Sequence, residues 1–340
     1  MAYTTIKKPS DYFNTKLYTG NGSTQSITGV GFQPDFTWIK QRSATNHHAL
    51  YDVVRGATKR LISSLSDEEG TQSNGLTSFD SDGFTTDSSN SSNISSGTFA
   101  SWNWLASNTT ASNTVGDINS TVSVNTTSGF SIVSYTGTGA NATVGHGLGV
   151  APKMIIFKNR TVARNWISYH DSIGATKFMY FNLTNAEQTD STAFNNTAPT
   201  SSVFSLGSNV GGNESGSSMI AYCFSEVKGF SKFGSYTGNG NADGTFVYTG
   251  FKPAFLMVKR TNTAANWVIF DNKRGAYNSN SPELQPNTTA AEAAVTDRFD
   301  FVSNGIKFRS SSFPNGSGDS FIYMAFAEEP LVGDNPATAR

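Results

Sequence analysis

The sequence predicts an all-β protein built as three tandem repeats, each a jelly-roll-like β-sandwich. Three observations carry that reading. A strand entered through a proline occurs three times, at Gly31–Arg42, Gly149–Arg160 and Gly250–Arg260. The composition is rich in Gly, Ser, Thr and Asn, with 12% aromatic residues, a mix that favours strands and turns over helices. Short apolar runs alternate with Gly/Asn/Asp turns, the pattern of sandwiches rather than of βαβ units.

The repeat extends beyond its core strand. Pro34, Pro152 and Pro253 open the three copies, and each strand ends in a lysine (Lys40, Lys158, Lys259) with an arginine close behind (Arg42, Arg160, Arg260). Upstream, Tyr-Thr-Gly-x-Gly begins at Tyr18, Tyr135 and Tyr236. Downstream, aromatic segments run to Asp52, Asp171 and Asp271, followed by Gly56-Ala57, Gly174-Ala175 and Gly275-Ala276. An apolar strand closes each copy, at Phe99–Trp104, Met219–Phe224 and Phe321–Phe326. Landmarks that recur in one order at a near-constant interval indicate a repeat architecture.

In chain order, residues 1–12 form a polar leader that could serve for attachment, and 13–107 the first sandwich. Within it, Lys59–Ile62 is either a short strand or a helical turn, Asp80–Phe84 reads as a tight hairpin through Asp-Gly, and 88–96 is a Ser/Asn loop. Residues 108–128, rich in Ser, Thr and Asn, are the expected linker. The second sandwich spans 129–228 and the third 229–330, with no linker between them, so these two should pack closely or share strands. Thr289–Thr296 is the only segment that reads as helical, and 331–340 is a loose tail.

Net charge is −1, which supplies no electrostatic case for nucleic acid or an anionic membrane. Cys223 is the only cysteine, so no internal disulfide forms. The N-terminal residues lack the apolar stretch of a signal peptide, and no apolar run is long enough to span a bilayer.

Sites for chemistry are sparse, and no catalytic residue, cofactor or metal is expected. The aspartates Asp52, Asp171 and Asp271 read as strand-end acceptors paired with Arg55 or Arg274. In the second unit Ile173 replaces the arginine. The repeated Lys/Arg pairs could hold an anionic group but better suit a strand end. His47, His48, His146 and His170 lack zinc-like spacing, and Asp80–Gly83 lacks the bidentate Glu of a calcium loop. No nucleophile elbow, phosphate loop or facing carboxylate pair is present. Cys223 and most of the five tryptophans fit a packed core. Asn-x-Ser/Thr triplets at Asn21, Asn108, Asn182 and Asn287 read as products of composition.

The segment Tyr12–Ile27, the following Gly-Phe-x-Pro-Asp-Phe-x-Trp-Ile-Lys and Leu76–Phe84 resemble virion structural, tail-fibre-like proteins of tailed bacteriophages, marine ones in particular. The similarity runs from about Tyr12 to Pro330. It implies a non-enzymatic, virion-bound β protein, made in the host cytoplasm, that contacts other virion proteins and forms a homo-oligomer, a trimer above all. The leading expectation is a tail fibre or receptor-binding protein touching host surface glycans. Its contact residues would be Thr45, Asn46, His47 and His48, then Arg164 and Asn165, then Thr263 and Asn266, in the loops before each second core strand. The alternatives are a head decoration, collar or other tail structural protein with no receptor role and, behind them, a polysaccharide depolymerase.

Overall fold

The computed structural model describes residues 4–333 and 336–338 apart from residue 276. Ala276 of the third Gly-Ala pair, residues 1–3 of the leader and residues 334–335 and 339–340 of the tail lie outside the described residues.

The protein is nearly all β, arranged in antiparallel sheets. In the first unit, strands Phe13–Thr19, Thr98–Trp104, Phe36–Gln41 and Ala49–Asp52 lie side by side in that order. The third unit has the same connectivity in Ser231–Thr237, Ser320–Pro330, Phe251–Arg260 and Val268–Asp271. The same order appears inside an eight-stranded sheet as Phe130–Thr136, Ser218–Phe224, Met154–Asn159 and Ile167–His170.

Each of these four-strand arrays has two apolar faces. One covers a smaller sheet. In the first unit Ile39, Tyr51 and Phe99 pack on Ile27, Leu76 and Phe84. Val133, Phe157 and Tyr169 pack on Val144, Phe204 and Leu206. Leu256, Val258 and Phe270 pack on Phe299, Ile306 and Phe308. The opposite faces of all three arrays meet in one central core holding Trp38, Trp102 and Trp104, Ile156, Tyr222 and Phe224, and Met257, Trp267 and Phe326. Rings meet across all three seams: Phe36 on Tyr222 at 4.4 Å, Phe13 on Phe326 at 5.0 Å and Phe224 on Phe326 at 6.1 Å. Burial on both faces explains why Phe36–Gln41 and Met154–Asn159 are buried along their whole length, with no polar face.

Local signals place the turns. A tight hairpin forms at Asp80–Gly83 as expected, but its two loop residues are Ser81 and Asp82, and Gly83 (φ 145°) pairs with Asp80 as the first residue of the next strand. In Tyr-Thr-Gly-x-Gly the two glycines serve different needs. Gly22, Gly139 and Gly240 have φ of 75°, 71° and 63°. Gly20, Gly137 and Gly238 sit against backbone, where an added Cβ would meet a carbonyl oxygen at 2.3 Å in each case.

Two expectations are corrected. Thr289–Thr296 is not a helix: residues 289–292 are irregular, and a strand, Ala293–Val302, begins there. Neighbouring groups take the backbone bonds a helix would need, since the Glu292 N–H donates to Arg42 O and Thr289 O accepts from Lys40 Nζ. Eight residues are also too few to hold a helix unaided.

Residues 108–128 are not an open linker. They contribute strands Ala111–Asn113 and Ser120–Asn125, which extend the second unit's sheet. Asp35, fully buried, pins this segment by accepting from the N–H groups of Ala106 (2.7 Å) and Asn108 (2.9 Å) and from the Ser123 hydroxyl (2.9 Å). The described part of the polar leader packs on the body of the protein, with Ile6 1% exposed and part of the central core. Lys59–Arg60 forms a two-residue strand with Gly70–Thr71, and the Ser/Asn loop contains a helical turn, Asn90–Asn93, capped by Ser89.

Candidate functional site

The repeated charges build the seams between units. Lys40, Lys158 and Lys259 are fully buried. Each Nζ donates to a carbonyl of its own following loop, Asn46 O at 2.8 Å, Arg164 O at 2.7 Å and Ala265 O at 2.5 Å. Each also donates to a carbonyl of a neighbouring unit, Thr289 O at 3.2 Å, Ser66 O at 2.8 Å and Thr184 O at 2.8 Å. Burial lowers the three ammonium pKa values to about 8, about 8 and about 7. The first unit thus reaches the third, the second the first, and the third the second, which closes a ring.

Ring nitrogens follow the same order. His48 Nε2 lies 3.1 Å from Gln285 O, Trp166 Nε1 donates to Ile62 O at 3.0 Å, and Trp267 Nε1 donates to Tyr180 O at 2.9 Å. Arg42 and Arg160 make two-pronged pairs with Glu292 and Glu69 across their seams. The third arginine departs from this pattern. Arg260 pairs within its own unit, with Asp319 at 3.0 Å, and Thr261 O takes the seam bond from Glu187 N at 2.8 Å.

The aspartates are structural in two seams and displaced in the third. Strand register places Asp52 opposite Phe36, Asp271 opposite Phe255 and His170 opposite Met154. Asp52 accepts from Arg55 Nε at 2.5 Å and from the Tyr222 hydroxyl at 2.7 Å. Asp271 accepts from Arg274 Nε at 2.6 Å and from Trp102 Nε1 at 2.9 Å. Where His170 takes this place, Ile173 replaces the arginine, and Met324 stands where Trp102 and Tyr222 stand in the other units. A buried carboxylate needs its donors, and the three positions change together. Burial lowers the His170 pKa to about 4, and its Nε2 lies 3.1 Å from Tyr323 O. Asp171, read as the repeated aspartate, is one residue beyond and pairs with Lys153 on the surface.

The expected contact residues divide into loop roots and loop tips. His48 is buried, and it accepts from Trp38 Nε1 at 2.8 Å. His47 Nδ1 lies 2.8 Å from Ser64 Oγ, and burial lowers its pKa. Asn46 bonds Gln41 and Asn90 O. Arg164 makes a two-pronged pair with Glu214. Asn165 and Asn266 accept from Asn182 and Asn287, whose own oxygens take the N–H groups of Trp166 and Trp267. Five of these residues therefore hold loops in place, and His48 faces no solvent. Of the expected residues Thr45 and Thr263 are exposed tips, and in the second loop the exposed position is Ala163, next to the expected Arg164.

Sequence reasoning passed over two sets of asparagines. Asn182 and Asn287, dismissed as compositional, are equivalent buried amides in two units. Asn93, Asn213 and Asn315 are each fully buried and organise the Tyr-Thr-Gly-x-Gly turn of their unit through both side-chain atoms. Their available signal was an Asn-x-Ser shortly before each closing strand. Cys223 is buried as expected, and all five tryptophans are at most 2% exposed.

The fold and seams define a single-chain, all-β protein in which three similarly connected sheets close around one core. The chain belongs to the family described as Domain of unknown function (DUF7483), which matches residues 8–330 and so takes in all three arrays. No curated protein matches the chain.

Proposed function

We propose that this chain is a non-enzymatic structural protein of a tailed-bacteriophage virion, acting as a tail-fibre or receptor-binding subunit that touches host surface glycans. One observation carries the reading: three exposed loop tips, at Thr45, Ala163 and Thr263, on roots locked by buried lysines and side-chain amides. Each tip follows the same strand of its array, and the seams that hold the loop roots run in cyclic order. Loops displayed on a rigid β scaffold are a common recognition device. Three similar faces in one chain give multivalent contact without a separate trimer. The phage-like motifs at Tyr12–Ile27 and Leu76–Phe84 support the same assignment. Other virion proteins are its partners.

The test is binding of purified protein to host and non-host cells, with phage adsorption scored in its presence. Host-specific binding that competes with adsorption is expected. A Thr45→Asp, Ala163→Asp, Thr263→Asp variant should lose it while its unfolding midpoint stays unchanged. Unaltered binding by that variant would remove the tips from the reading, and no binding by the folded wild type would remove receptor contact altogether.

A further inference from the structure

We propose that the hollow around Arg60 is an acidic-saccharide site, in which a sugar carboxylate meets the guanidinium and sugar hydroxyls meet the surrounding amides and hydroxyls. The inference rests on the glycan-contact reading above and names the class of glycan.

The hollow has a volume of about 300 Å³ and is lined by Asn46, Arg60, Gln72, Asn74, Ser88 and Asn90, among others. It adjoins the first contact loop through Asn46. Arg60 is half-buried, and among the described residues its one side-chain hydrogen bond is a long one, from Nη1 to Ser91 Oγ at 3.4 Å. Among the described residues it has no carboxylate partner, whereas Arg42, Arg55, Arg160, Arg164, Arg260, Arg274 and Arg309 each have one.

The fold does not require an arginine here. Leu50 bridges Leu61, Ser168 pairs with Met179 and Ile269 bridges Leu284, so the position before each is Arg60, Phe178 and Glu283. Phe178 is buried in its unit's core, and Glu283 accepts from Gln285 Nε2 at 2.8 Å. The first unit alone places a cation there, without an anion.

On Arg60's other side a second hollow carries Asp67, Glu68 and Glu69. Glu69 is held by Arg55 and Arg160. The anion therefore enters from the side where the lining, apart from Arg60, is uncharged, and Asn74, Ser88 and Asn90 are exposed there to meet hydroxyls. A guanidinium takes a carboxylate through two parallel N–H bonds, which a lysine cannot copy.

The test is calorimetric titration of the full chain with trigalacturonate and with sialyllactose, each beside its methyl ester. At least one acid should bind, and its ester should bind at least about tenfold more weakly, as loss of a charge-assisted bond predicts. Arg60→Gln should weaken acid binding by a similar factor at an unchanged unfolding midpoint, with Arg60→Lys in between. No binding of either acid, or acid binding untouched by Arg60→Gln, overturns the site. Host-cell binding separates this from the broader reading. If neither acid binds through Arg60 while the wild type still binds host cells, the site fails and the receptor reading stands. Acid binding through Arg60 without any cell binding leaves the site standing and removes the receptor reading.

Discussion

The Tyr222 hydroxyl donates to Asp52 Oδ2 at 2.7 Å, joining residues 170 positions apart in the chain. The bond crosses from the second unit to the first, inside a buried cluster completed by Arg55. Its counterpart at another seam joins Trp102 to Asp271. At the remaining seam the acid, the arginine and the aromatic donor are all replaced, by His170, Ile173 and Met324.

Removing one member of such a cluster leaves a buried charge without its partner. Asp52→Ala should cost about 3–5 kcal/mol of unfolding free energy, and Tyr222→Phe about 1–3 kcal/mol, both read from urea transitions. The combined Asp52→His, Arg55→Ile, Tyr222→Met variant copies the neutral seam and should lose less than Asp52→Ala alone. A larger loss would show that the three positions are not exchangeable as a set.

The buried lysines set the alkaline behaviour. Their folded pKa values, about 8, about 8 and about 7, lie below the ordinary 10.5. Between those limits the unfolded chain binds more protons, so stability rises with pH from about 7 to about 10. Above that the sign reverses, because burial raises the hydroxyl pKa values of Tyr18, Tyr135, Tyr222 and Tyr236 above their ordinary 10.0. Urea midpoints at pH 6.5, 8, 9.5 and 11 should trace a maximum near about pH 10. Replacing all three lysines by Met should lower stability overall and flatten the rising limb. An unflattened limb would assign the rise to other groups.

No single unit should fold alone. Residues 129–228 expressed by themselves would expose Phe130, Ile132, Ile156, Tyr222 and Phe224, which the central core buries. An apolar face of that extent drives association. The fragment should lack a cooperative thermal transition, while the whole chain unfolds in one. Calorimetry decides this, and a sharp transition in the fragment would count against the shared core.

Root and tip residues of one loop should respond differently. His48→Ala removes the acceptor of Trp38 Nε1 and the contact to Gln285 O. It should cost about 1–3 kcal/mol. Thr45→Ala, at the exposed tip, should stay within about 0.5 kcal/mol of wild type. Equal effects in chemical denaturation would contradict the division of the loop.

The sequence by itself determined the all-β class, the order of the landmarks and the hairpin at Asp80–Gly83. These depend on local backbone chemistry: glycines at left-handed turns, a proline at a strand entrance, β-branched and aromatic residues between them. Only the tertiary structure decided what the repeated polar residues do. Lys40 reads locally as a strand-end cation, but its second acceptor, Thr289 O, lies 249 residues away. His170 reads as the residue before a repeated aspartate, and only strand register shows that it occupies the aspartate's place. Thr289–Thr296 has helical composition, yet its backbone groups are taken by Lys40 and Arg42 of another unit. Residues 108–128 have linker composition, and the buried carboxylate of Asp35 draws them into a sheet. In each case the deciding partner lies in another part of the chain, where neither spacing nor composition can specify it. A buried polar group must find its partner wherever the closed ring supplies one.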